Sequence, residues 1–458
     1  MSRIKSLINN EEYLILAMMI VSYFSLSKIF YDYLSWPRRL ILIWGIFFLL
    51  KEVFLKRDLY KNKYSLILFI FCVANGISTL LSFPDRFVFG MVTEAYVCVF
   101  LVVFFTFSLK QGRDQKTSFL KKILWIHIVL SFVFAVLALG CFALNISVAY
   151  NFNGNELYLG LRDNRVWGFY NPNTGGSICV ISLVFSYMLL GTSQRNKKRF
   201  LIFNMIFQYV YLVLTLSRSA WYVLLGVIAL YGFFQVLIPS LYCQDQIIER
   251  IKKVTSFVCL FVVIFFSPNI IKNTVVVIPN AIIEIRNENT EEGKTAKVSL
   301  ERIDEERIEE QDSTNGRGEI WKAGWEIFKT SPLFGVGSEN ITERGEQYLT
   351  GDRLDNLQKG GLHNSYLMIL TASGIVGFLI MAIFFFCLVI EGFGYLFRRK
   401  QKYVMILVIL VFGMMANELM EARLVYNTSY LNIIFWILTG FIAGSFEFEK
   451  KMEEKIKK

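Results

Sequence analysis

The chain has 458 residues, of which 55% are hydrophobic and 16% aromatic, and its mean hydropathy is +0.47. A soluble protein of this composition would have too little polar surface to cover itself, whereas about 20 consecutive apolar residues span a bilayer. The sequence therefore indicates a polytopic membrane protein. Its net charge of +11 does not predict nucleic-acid binding, because the cytoplasmic loops of membrane proteins carry an excess of Lys and Arg.

Apolar runs predict twelve membrane-spanning helices and hence an all-α, polytopic integral membrane fold. The first span follows the polar start MSRIKSLINNEE, which lacks a small-residue cleavage site, so we expect it to be retained rather than removed as a signal peptide. The largest gap between spans predicts a large extracytoplasmic loop between the ninth and the tenth. The predicted spans are 12–33, 40–55, 64–83, 88–108, 122–144, 175–191, 200–216, 220–239, 254–272, 364–390, 403–420 and 429–447.

The distribution of basic residues predicts that both termini are cytoplasmic. With this orientation, 28 of the 48 Lys and Arg residues belong to cytoplasmic segments, 8 to short outer segments and 12 to the long loop, where the four basic residues inside span bounds are counted with the adjoining segment. Cytoplasmic segments of membrane proteins show such an excess. The sequence thus favours a multi-pass protein of the cytoplasmic (inner) membrane, with segments 145–174 and 273–363 on the outer face.

The predicted spans divide the chain into three parts: spans one to nine over 1–272, the outer loop over 273–363, and spans ten to twelve with a cytoplasmic tail over 364–458. The first part of the outer loop, 284–312, carries 11 acidic and 5 basic residues. A segment so charged and so poor in apolar residues can bury little surface. We expect a solvated insert there, either mobile or helical.

The second part of the outer loop contains the stretch GRGEIWKAGWEIFKTSPLFGVG and predicts an amphipathic helix over 317–330. Trp321, Trp325 and Phe328 fall on one helical face, and Pro332 ends the helix because a residue before proline avoids the α region. Such a helix can lie in a membrane interface, roof a cavity in the protein or pack as an ordinary loop helix.

Cysteine spacing and short motifs exclude several chemistries. The seven cysteines lie in or beside apolar runs, and no CxxC pair occurs, so the sequence predicts neither a disulfide framework nor zinc or redox chemistry. It also lacks a Walker loop, a GxSxG motif and a DxD-like glycosyltransferase signature. We therefore expect no metal and no other cofactor, and no nucleotide-sugar donor that needs a divalent ion.

The chain has two histidines, His127 and His363. His363 stands at the outer mouth of the tenth span, where a histidine can take and return a proton near neutral pH. His127 lies in the middle of a span, where we expect it to be packed or hydrogen-bonded. Glu94 is an acid within an apolar run; such residues are often functional, but it can also pair with a neighbouring span.

Four arginines reach the same predicted membrane face as His363. They are Arg162 and Arg165 in the first outer segment, Arg218 between two spans, and Arg317 at the start of the amphipathic helix. Each one alone can be an interfacial anchor. The planar guanidinium group also suits phosphate oxygens. Four of them beside one histidine therefore predict a site for an anionic lipid phosphate.

Four segments resemble, in order and spacing, the O-antigen ligase and polymerase superfamily: GFYNPN (168–173), LTLSRSAW (214–221), RGEIWKAGWEIFKTSPLFGVG (317–337) and HNSYLMILTASGIVG (363–377). The resemblance implies an integral membrane glycosyltransferase that acts outside the cytoplasmic membrane on a glycan carried by undecaprenyl diphosphate. In this superfamily, ligases move the glycan to lipid A core, polymerases move a growing chain onto the next lipid-linked repeat unit, and related members glycosylate proteins.

The resemblance also implies roles for particular residues. His363 takes the place of the essential histidine of the family, and Arg218 and Arg317 take the places of arginines that hold the diphosphate. The GFYNPN segment takes the place of a substrate-facing loop, so Asn173 is expected at the substrate, together with Asn364, Arg162 and Arg165. The acidic insert at 284–312 departs from the compact loop of the family.

Among the functions that remain, we favour a polymerase of capsule, exopolysaccharide or O-antigen. Its expected partners are the lipid-linked donor, a glycan acceptor, the bilayer, a flippase and a chain-length regulator. The alternatives are an O-antigen ligase with lipid A core, cell wall or protein as acceptor, a polysaccharide transporter, and a non-catalytic assembly component. A transporter is less favoured because transporters place polar sites at the midplane of the bilayer, whereas the polar residues here are concentrated at one face.

Overall fold

The structure is a computed structural model that describes residues 9–82, 85–152, 155–162, 164–238, 247–288, 297–300, 316–398 and 401–457. Helices make up about four fifths of the chain that the structure describes, which confirms the prediction of an all-α membrane protein. The helices before the long outer loop are α1 Glu11–Phe24, α2 Ser35–Leu50, α3 Lys63–Leu81, α4 Phe87–Arg113, α5 Thr117–Ala143, α6 Pro172–Leu190, α7 Arg195–Leu214, α8 Arg218–Leu237 and α9, which consists of Ile247–Val275 and Val277–Glu288.

The remaining helices belong to the outer loop and the last spans. The outer loop holds α10 Arg317–Thr330, α11 Ile341–Gly345 and α12 Gly351–Gly360, and the last spans are α13 Ser365–Arg398, α14 Lys402–Asn417 and α15 Tyr430–Lys457. Short helical turns occur at Lys28–Tyr31, Lys51–Lys56, Asp58–Lys61 and Ser338–Asn340.

Eight helices among the described residues are long and apolar enough to cross a membrane: α3, α4, α5, α6, α8, α9, α13 and α15. Helices also stand at the other four predicted spans, but they are shorter or more polar. Helix α1 has 14 residues, α2 and α14 have 16 each, and α7 begins with the basic run RNKKR. The protein is therefore a multi-pass membrane protein, and the number of twelve spans stays a prediction.

The last helix, α15, is the centre of the buried core, since 89% of its apolar window is buried. The backbones of α15 and α4 approach each other closely because glycines lie at their contact. A Cβ added to Gly444 would lie 2.0 Å from the carbonyl oxygen of Leu109, and one added to Gly112 would lie 2.0 Å from that of Phe441. Small residues let helix backbones approach closely in membranes.

Helix α9 stands apart from this core. The candidate span extends over 41 residues from Ile248 to Glu288, and none of the residues in its most apolar stretch is buried inside the protein. The helix continues past residue 272, where the sequence predicted the span to end, and so takes in the first residues of the predicted acidic insert. Of that insert, only 284–288 and 297–300 are described, and the rest of the prediction for 284–312 lies outside the described residues.

Two small antiparallel hairpins occupy the first outer segment and were not predicted. Strand β1 Val148–Phe152 pairs with β2 Asn155–Leu159, and β3 Leu161–Arg162 pairs with β4 Arg165–Val166. The sequence YNFNGNELYL contains an Asn-Gly pair between alternating apolar residues, which is a hairpin signal. The second hairpin sets Arg162 opposite Arg165 and carries both toward the chain that enters α6.

The outer loop is hydrogen-bonded into a break in helix α13. Gly374 has φ 65° and ψ −170° inside that helix, so the helical ladder is interrupted there. The segment that follows α10 supplies the missing partners. The N–H of Gly337 donates to the carbonyl of Ala372 at 2.9 Å, and the N–H of Ile375 donates to that of Pro332 at 2.8 Å.

Two glycines are required at this junction. A Cβ on Gly335 would lie 2.3 Å from the carbonyl oxygen of Ala372, and one on Gly374 would lie 2.3 Å from that of Leu333. Both residues also have positive φ, which L side chains rarely adopt. The paired segments PLFGVG and TASGIVG thus form one backbone junction between the loop and the span.

The outer loop has a small hydrophobic core of its own. The members of this loop core are Ile320, Ala323, Ile327, Val336, Ile341, Leu349, Leu357, Leu362 and Ala372. The buried face of α10 therefore includes Ile320, Ala323 and Ile327, whereas Trp325, which belongs to the aromatic face seen in the sequence, is 47% exposed. The reason is close packing at Gly324, where an added Cβ would lie 2.9 Å from Leu362.

Candidate functional site

Glu421, in the loop between α14 and α15, connects the parts of the candidate site. Its Oε1 lies 3.5 Å from Nη2 of Arg317, and its Oε2 lies 2.8 Å from Nη2 of Arg423. The side-chain amide of Asn173 donates to Oε1 at 3.1 Å. One buried carboxylate thus joins the start of α10, the start of α6 and its own loop.

His363 lies immediately before α13, in a conformation that favours a functional role. Its φ is +49°, a left-handed conformation that is uncommon for residues other than glycine and is often found at functional sites. Its ring packs on the end of α12, where a Cβ added to Gly360 would lie 2.2 Å from Cε1 and 2.4 Å from Nε2. Its Nδ1 is buried and has no hydrogen-bond partner among the described residues.

The surroundings of His363 favour its neutral form. Burial lowers the pKa of its imidazole most strongly, the carboxylate of Glu421 raises it, and the guanidinium groups of Arg317 and Arg423 lower it. The net pKa lies below the ordinary value of 6.5. A neutral imidazole can accept a proton, which is the state that a general base needs.

A second acid, Glu418, fixes the loop that carries Glu421 and Arg423. Its Oε2 accepts hydrogen bonds from the hydroxyl of Ser365 and from the backbone N–H of Arg423, both at 2.7 Å. The N–H of Ser365 donates in turn to the carbonyls of Glu418 and Glu421, at 2.9 and 2.8 Å. The first turn of α13 is thereby tied to the loop before α15, directly beside His363.

The two acids are in different electrostatic situations. Burial alone would raise the pKa of Glu421, but Arg423, Arg317 and His363 outweigh it and leave this pKa below its ordinary value. Burial raises the pKa of Glu418, which Arg423 and Ser365 only partly offset. Glu421 is therefore the firmly ionised acid of the site, and Glu418 is the one that protonates more readily.

Arg165 reaches the site through Asn173. Its Nη2 donates to Oδ1 of Asn173 at 3.1 Å, and its Nε donates to the carbonyl of Thr215 at 2.9 Å. Arg162 lies on the other strand of the same hairpin, where its guanidinium is 5.2 Å from the ring centre of Trp167. The structure thus connects Arg165 and Asn173 to Glu421, whereas the described contact of Arg162 is with an aromatic ring.

Arg218 is exposed at the first residue of α8. Two residues further on, Ala220 lines a cavity of about 30 Å³ that Ser177, Glu418 and Arg423 also line. The start of α8 and the Glu421 loop therefore border the same space. A cavity of this size holds one or two water molecules, so it is too small for a sugar.

Asn364 has a structural contact. Its Oδ1 accepts hydrogen bonds from the backbone N–H groups of Tyr366 and Leu367, both at 3.0 Å. Asn364 therefore caps the N-terminus of α13, and such a cap typically contributes about 1 kcal/mol to the free energy of unfolding. Contact of Asn364 with a substrate stays a prediction.

Two intramembrane residues singled out in the sequence have protein partners. Nδ1 of His127 lies 2.8 Å from the hydroxyl of Tyr430, and its Nε2 lies 3.1 Å from the carbonyl oxygen of Ile178, which confirms a packed, hydrogen-bonded histidine. Glu94 accepts from the side-chain amide of Asn75. It therefore has a partner on a neighbouring helix, as one of the two sequence interpretations expected.

Glu94 also lies next to two cysteines that the sequence analysis treated separately. Ligand atoms of Cys72, Glu94 and Cys98 all lie within 4.8 Å of one another. The thiol of Cys98 donates to Oε1 of Glu94 at 3.3 Å. The three residues face each other because α3 and α4 pack as neighbours, and the arrangement is separate from the cluster around Glu421.

Glu418, Glu421 and Arg423 were not predicted as site residues from the sequence. A signal was present: the stretch NELMEAR places three charges at and just after the outer end of the predicted span 403–420. No spacing rule connects these charges to residues in other loops. Only the fold brings them to Arg317 and His363.

Residues 200–382 match the family model of O-antigen ligase. The match runs from α7 to the middle of α13 and covers less than half of the chain. The resemblance to the O-antigen ligase and polymerase superfamily is thereby confirmed. A comparison with curated proteins finds no match to the chain.

The O-antigen ligase region contains only part of the cluster. Arg218, Arg317 and His363 lie inside it, whereas Asn173 and Glu421 lie outside, one on each side. The site is therefore completed by helices that flank the matched region.

Proposed function

We propose that this protein is a membrane glycosyltransferase that polymerises oligosaccharide repeat units carried on undecaprenyl diphosphate. The product is a surface polysaccharide of the capsule, exopolysaccharide or O-antigen type, assembled on the outer face of the cytoplasmic membrane. The proposal rests on one observation: His363 and Arg317 both lie next to Glu421. His363 and Arg317 are also both inside the region that matches O-antigen ligase.

His363 is the proposed general base. It takes the proton from the acceptor hydroxyl as the hydroxyl oxygen attacks C1 of the donor sugar, and the bond from C1 to the diphosphate oxygen breaks. Its lowered pKa supports this role, because the imidazole stays neutral at physiological pH. General base assistance is typically worth about 10²- to 10⁴-fold in rate. A single displacement inverts the configuration at C1.

The arginines are proposed to hold the leaving diphosphate. Arg165, Arg317 and Arg423 are grouped around the single firmly ionised acid Glu421, so positive charge is in excess. Arg218, at the exposed start of α8, is proposed to add a fourth guanidinium when the donor binds. Charge that develops on the leaving oxygen is stabilised by such fixed donors, and this stabilisation does not depend on a bound metal.

Glu421 is proposed as a positioning residue. It holds Arg317 and Arg423 in place before the donor binds, because both guanidinium groups contact its carboxylate. A site that is organised in advance spends less binding energy on ordering side chains. When the diphosphate arrives, one guanidinium face can turn to it while the other remains on Glu421.

The second candidate function is that of an O-antigen ligase, which moves the same lipid-linked glycan to lipid A core, cell wall or protein. It is supported by the family match itself, whose description is O-antigen ligase. Deletion of the gene followed by glycan gel analysis separates the two. Loss of long chains with single repeats retained means polymerase, whereas free lipid-linked polymer without its acceptor means ligase.

A further inference from the structure

A polar pocket of about 250 Å³ lies in the outer loop, away from His363. One wall is the C-terminal half of α10 with Ile327 and Thr330, another is the segment around α11, and Asp85 completes it from the chain between α3 and α4. Ile327 is the one lining residue without a polar side chain. Most small-molecule pockets are lined mainly by apolar side chains, so this lining indicates a different class of ligand.

Polar contacts hold the walls of this pocket together. Nη1 of Arg344 donates to the hydroxyl of Thr330 at 3.2 Å, which joins α11 to α10. Nε of Arg86 donates to Glu343 at 3.1 Å, which joins α11 to the start of α4. The pocket is therefore formed by three chain segments in a fixed arrangement before any ligand binds.

The chemistry of the lining suits a sugar. Asp85 and Glu343 offer acceptors, Arg344 offers donors and Gln347 offers both, which matches a ligand that carries several hydroxyl groups around its ring. Tyr348 also lines the pocket and is 43% exposed, so its ring is available to the apolar face of a pyranose. Asp85 and Glu343 balance Arg344 and the neighbouring Arg86, so the pocket has no excess of positive charge for a second phosphate.

The pocket and the candidate site belong to the same packed layer. Helix α11 contacts α12 closely at Gly345, where an added Cβ would lie 2.2 Å from Leu357, and α12 ends at Gly360 under the ring of His363. Thr330 and Arg317 stand at opposite ends of α10, about 20 Å apart at 1.5 Å per residue. A glycan that reacts at His363 can extend along this layer to the pocket.

We propose that the pocket binds sugar units of the glycan chain some distance from the bond that forms. Its assignment to that particular glycan rests on the proposed function, whereas its preference for a sugar rests on its lining. Binding there holds a long chain at the enzyme between successive transfers. Gln347 and Tyr348 are the residues that contact the sugar, and neither one takes part in the chemistry at His363.

Direct binding tests the proposal. The probe is a set of oligosaccharides cut from the surface polysaccharide of the host, and the protein is the full chain in lipid nanodiscs. Saturation-transfer NMR identifies the sugar protons in contact, and a titration gives Kd. We expect Gln347→Ala and Tyr348→Ala to weaken binding about five- to tenfold, the loss of one or two contacts. Gln358→Ala, an exposed glutamine on α12 outside the pocket, is the matched control.

The outcomes separate this proposal from the proposed function. Wild-type protein that does not bind the oligosaccharides, or Gln347→Ala and Tyr348→Ala variants that bind as the wild type does, would overturn the pocket assignment. Binding that the two variants lose, in a protein that transfers no glycan, would support the pocket and contradict only the proposed function. Transfer from the lipid-linked donor to a short acceptor should be unchanged in both variants, because a short acceptor does not reach the pocket.

Discussion

The carboxylate of Glu421 lies 3.5 Å from the guanidinium of Arg317, although the two residues belong to different loops. Helices α13 and α14 lie between these loops along the chain, and His363 lies just before the start of α13. The contact fixes the start of the amphipathic helix α10 against the last pair of helices. The proposed diphosphate site therefore depends on a buried ion pair as well as on individual arginines.

His363 is expected to be essential for transfer but not for folding. His363→Asn removes the base, since an amide cannot accept the proton, and asparagine tolerates the left-handed backbone at this position. We expect polymer formation to fall by at least about 10²-fold with unchanged expression and melting temperature. Near-normal turnover in this variant would make His363 a positioning residue.

His127→Ala is the matched comparison for that test. His127 is hydrogen-bonded to Tyr430 and Ile178 inside the bundle, so its loss should lower the free energy of unfolding by about 1–3 kcal/mol. Turnover per folded molecule should stay close to that of the wild type.

Gly360→Ala is expected to displace the ring of His363 while leaving the fold intact. The added methyl group would overlap Cε1 and Nε2 of the ring, and a side chain moves more easily than a backbone. A displacement of about 1 Å at a reacting group can cost about 10²-fold in rate. Turnover of purified protein and its melting temperature give the two readouts.

Gly226→Ala is the control for this substitution, because nothing lies within 4 Å of the added Cβ. Equal turnover in the two alanine variants would show that the position of the ring is not critical.

The pH dependence of kcat/KM should reveal the electrostatics of the cluster. The neutral imidazole is the active form, so the rate falls as pH drops through the pKa of His363, which burial and the two arginines hold below 6.5. Glu421→Gln removes the charge that raises this pKa and should move the acidic limb to lower pH. Arg317→Gln removes a charge that lowers it and should move the limb to higher pH.

The shifts can be measured even if each variant has only residual activity, because the pH profile of kcat/KM is compared and not its absolute value. Identical limbs in the wild type and both variants would exclude His363 as the group that titrates in the free enzyme.

Substitution of arginine by lysine tests the grip on the diphosphate. Arg317→Lys keeps the charge but loses the planar fork that contacts Glu421 and is proposed to contact phosphate, so we expect it to be nearly as damaging as Arg317→Ala. The same holds for Arg218→Lys. Full transfer activity in both lysine variants, at normal protein levels, would reduce these arginines to interfacial anchors. Lys322→Arg, on the exposed side of α10, is the control for a change between the two basic side chains.

Cysteine labelling tests the proposed orientation, in which the outer loop faces outward and the C-terminus is cytoplasmic. Glu346 is exposed beside α11, so a cysteine placed there in a cysteine-free background should react with an impermeant thiol reagent on intact cells freed of outer barriers. A cysteine at Glu454, in the exposed C-terminal part of α15, should react only after permeabilisation. The reverse pattern would place both the site and the polar pocket on the cytoplasmic side.

The helices and part of the site could be predicted because their signals are local. Long apolar runs mark α5 and α13 directly, and His363 and Arg317 each lie in a recognisable motif. The position of Glu421 could not be predicted, because its importance comes from contacts with distant loops. The buried face of α10 could not be predicted, because the sequence shows the aromatic stripe but not that Gly324 packs against Leu362 next to α13.

The junction at Gly335 and Gly374 has a consequence for how this chain can be recombined with homologous chains. Four backbone hydrogen bonds cross between the segment after α10 and the interrupted helix α13, so loop and span share one ladder. A chimera that exchanges 316–377 as a block between homologues retains matched halves of that ladder. A chimera joined between Gly337 and His363 takes the two hydrogen-bonded segments from different parents. Such a chimera can transfer specificity only where both parents have the same residue spacing within these two segments.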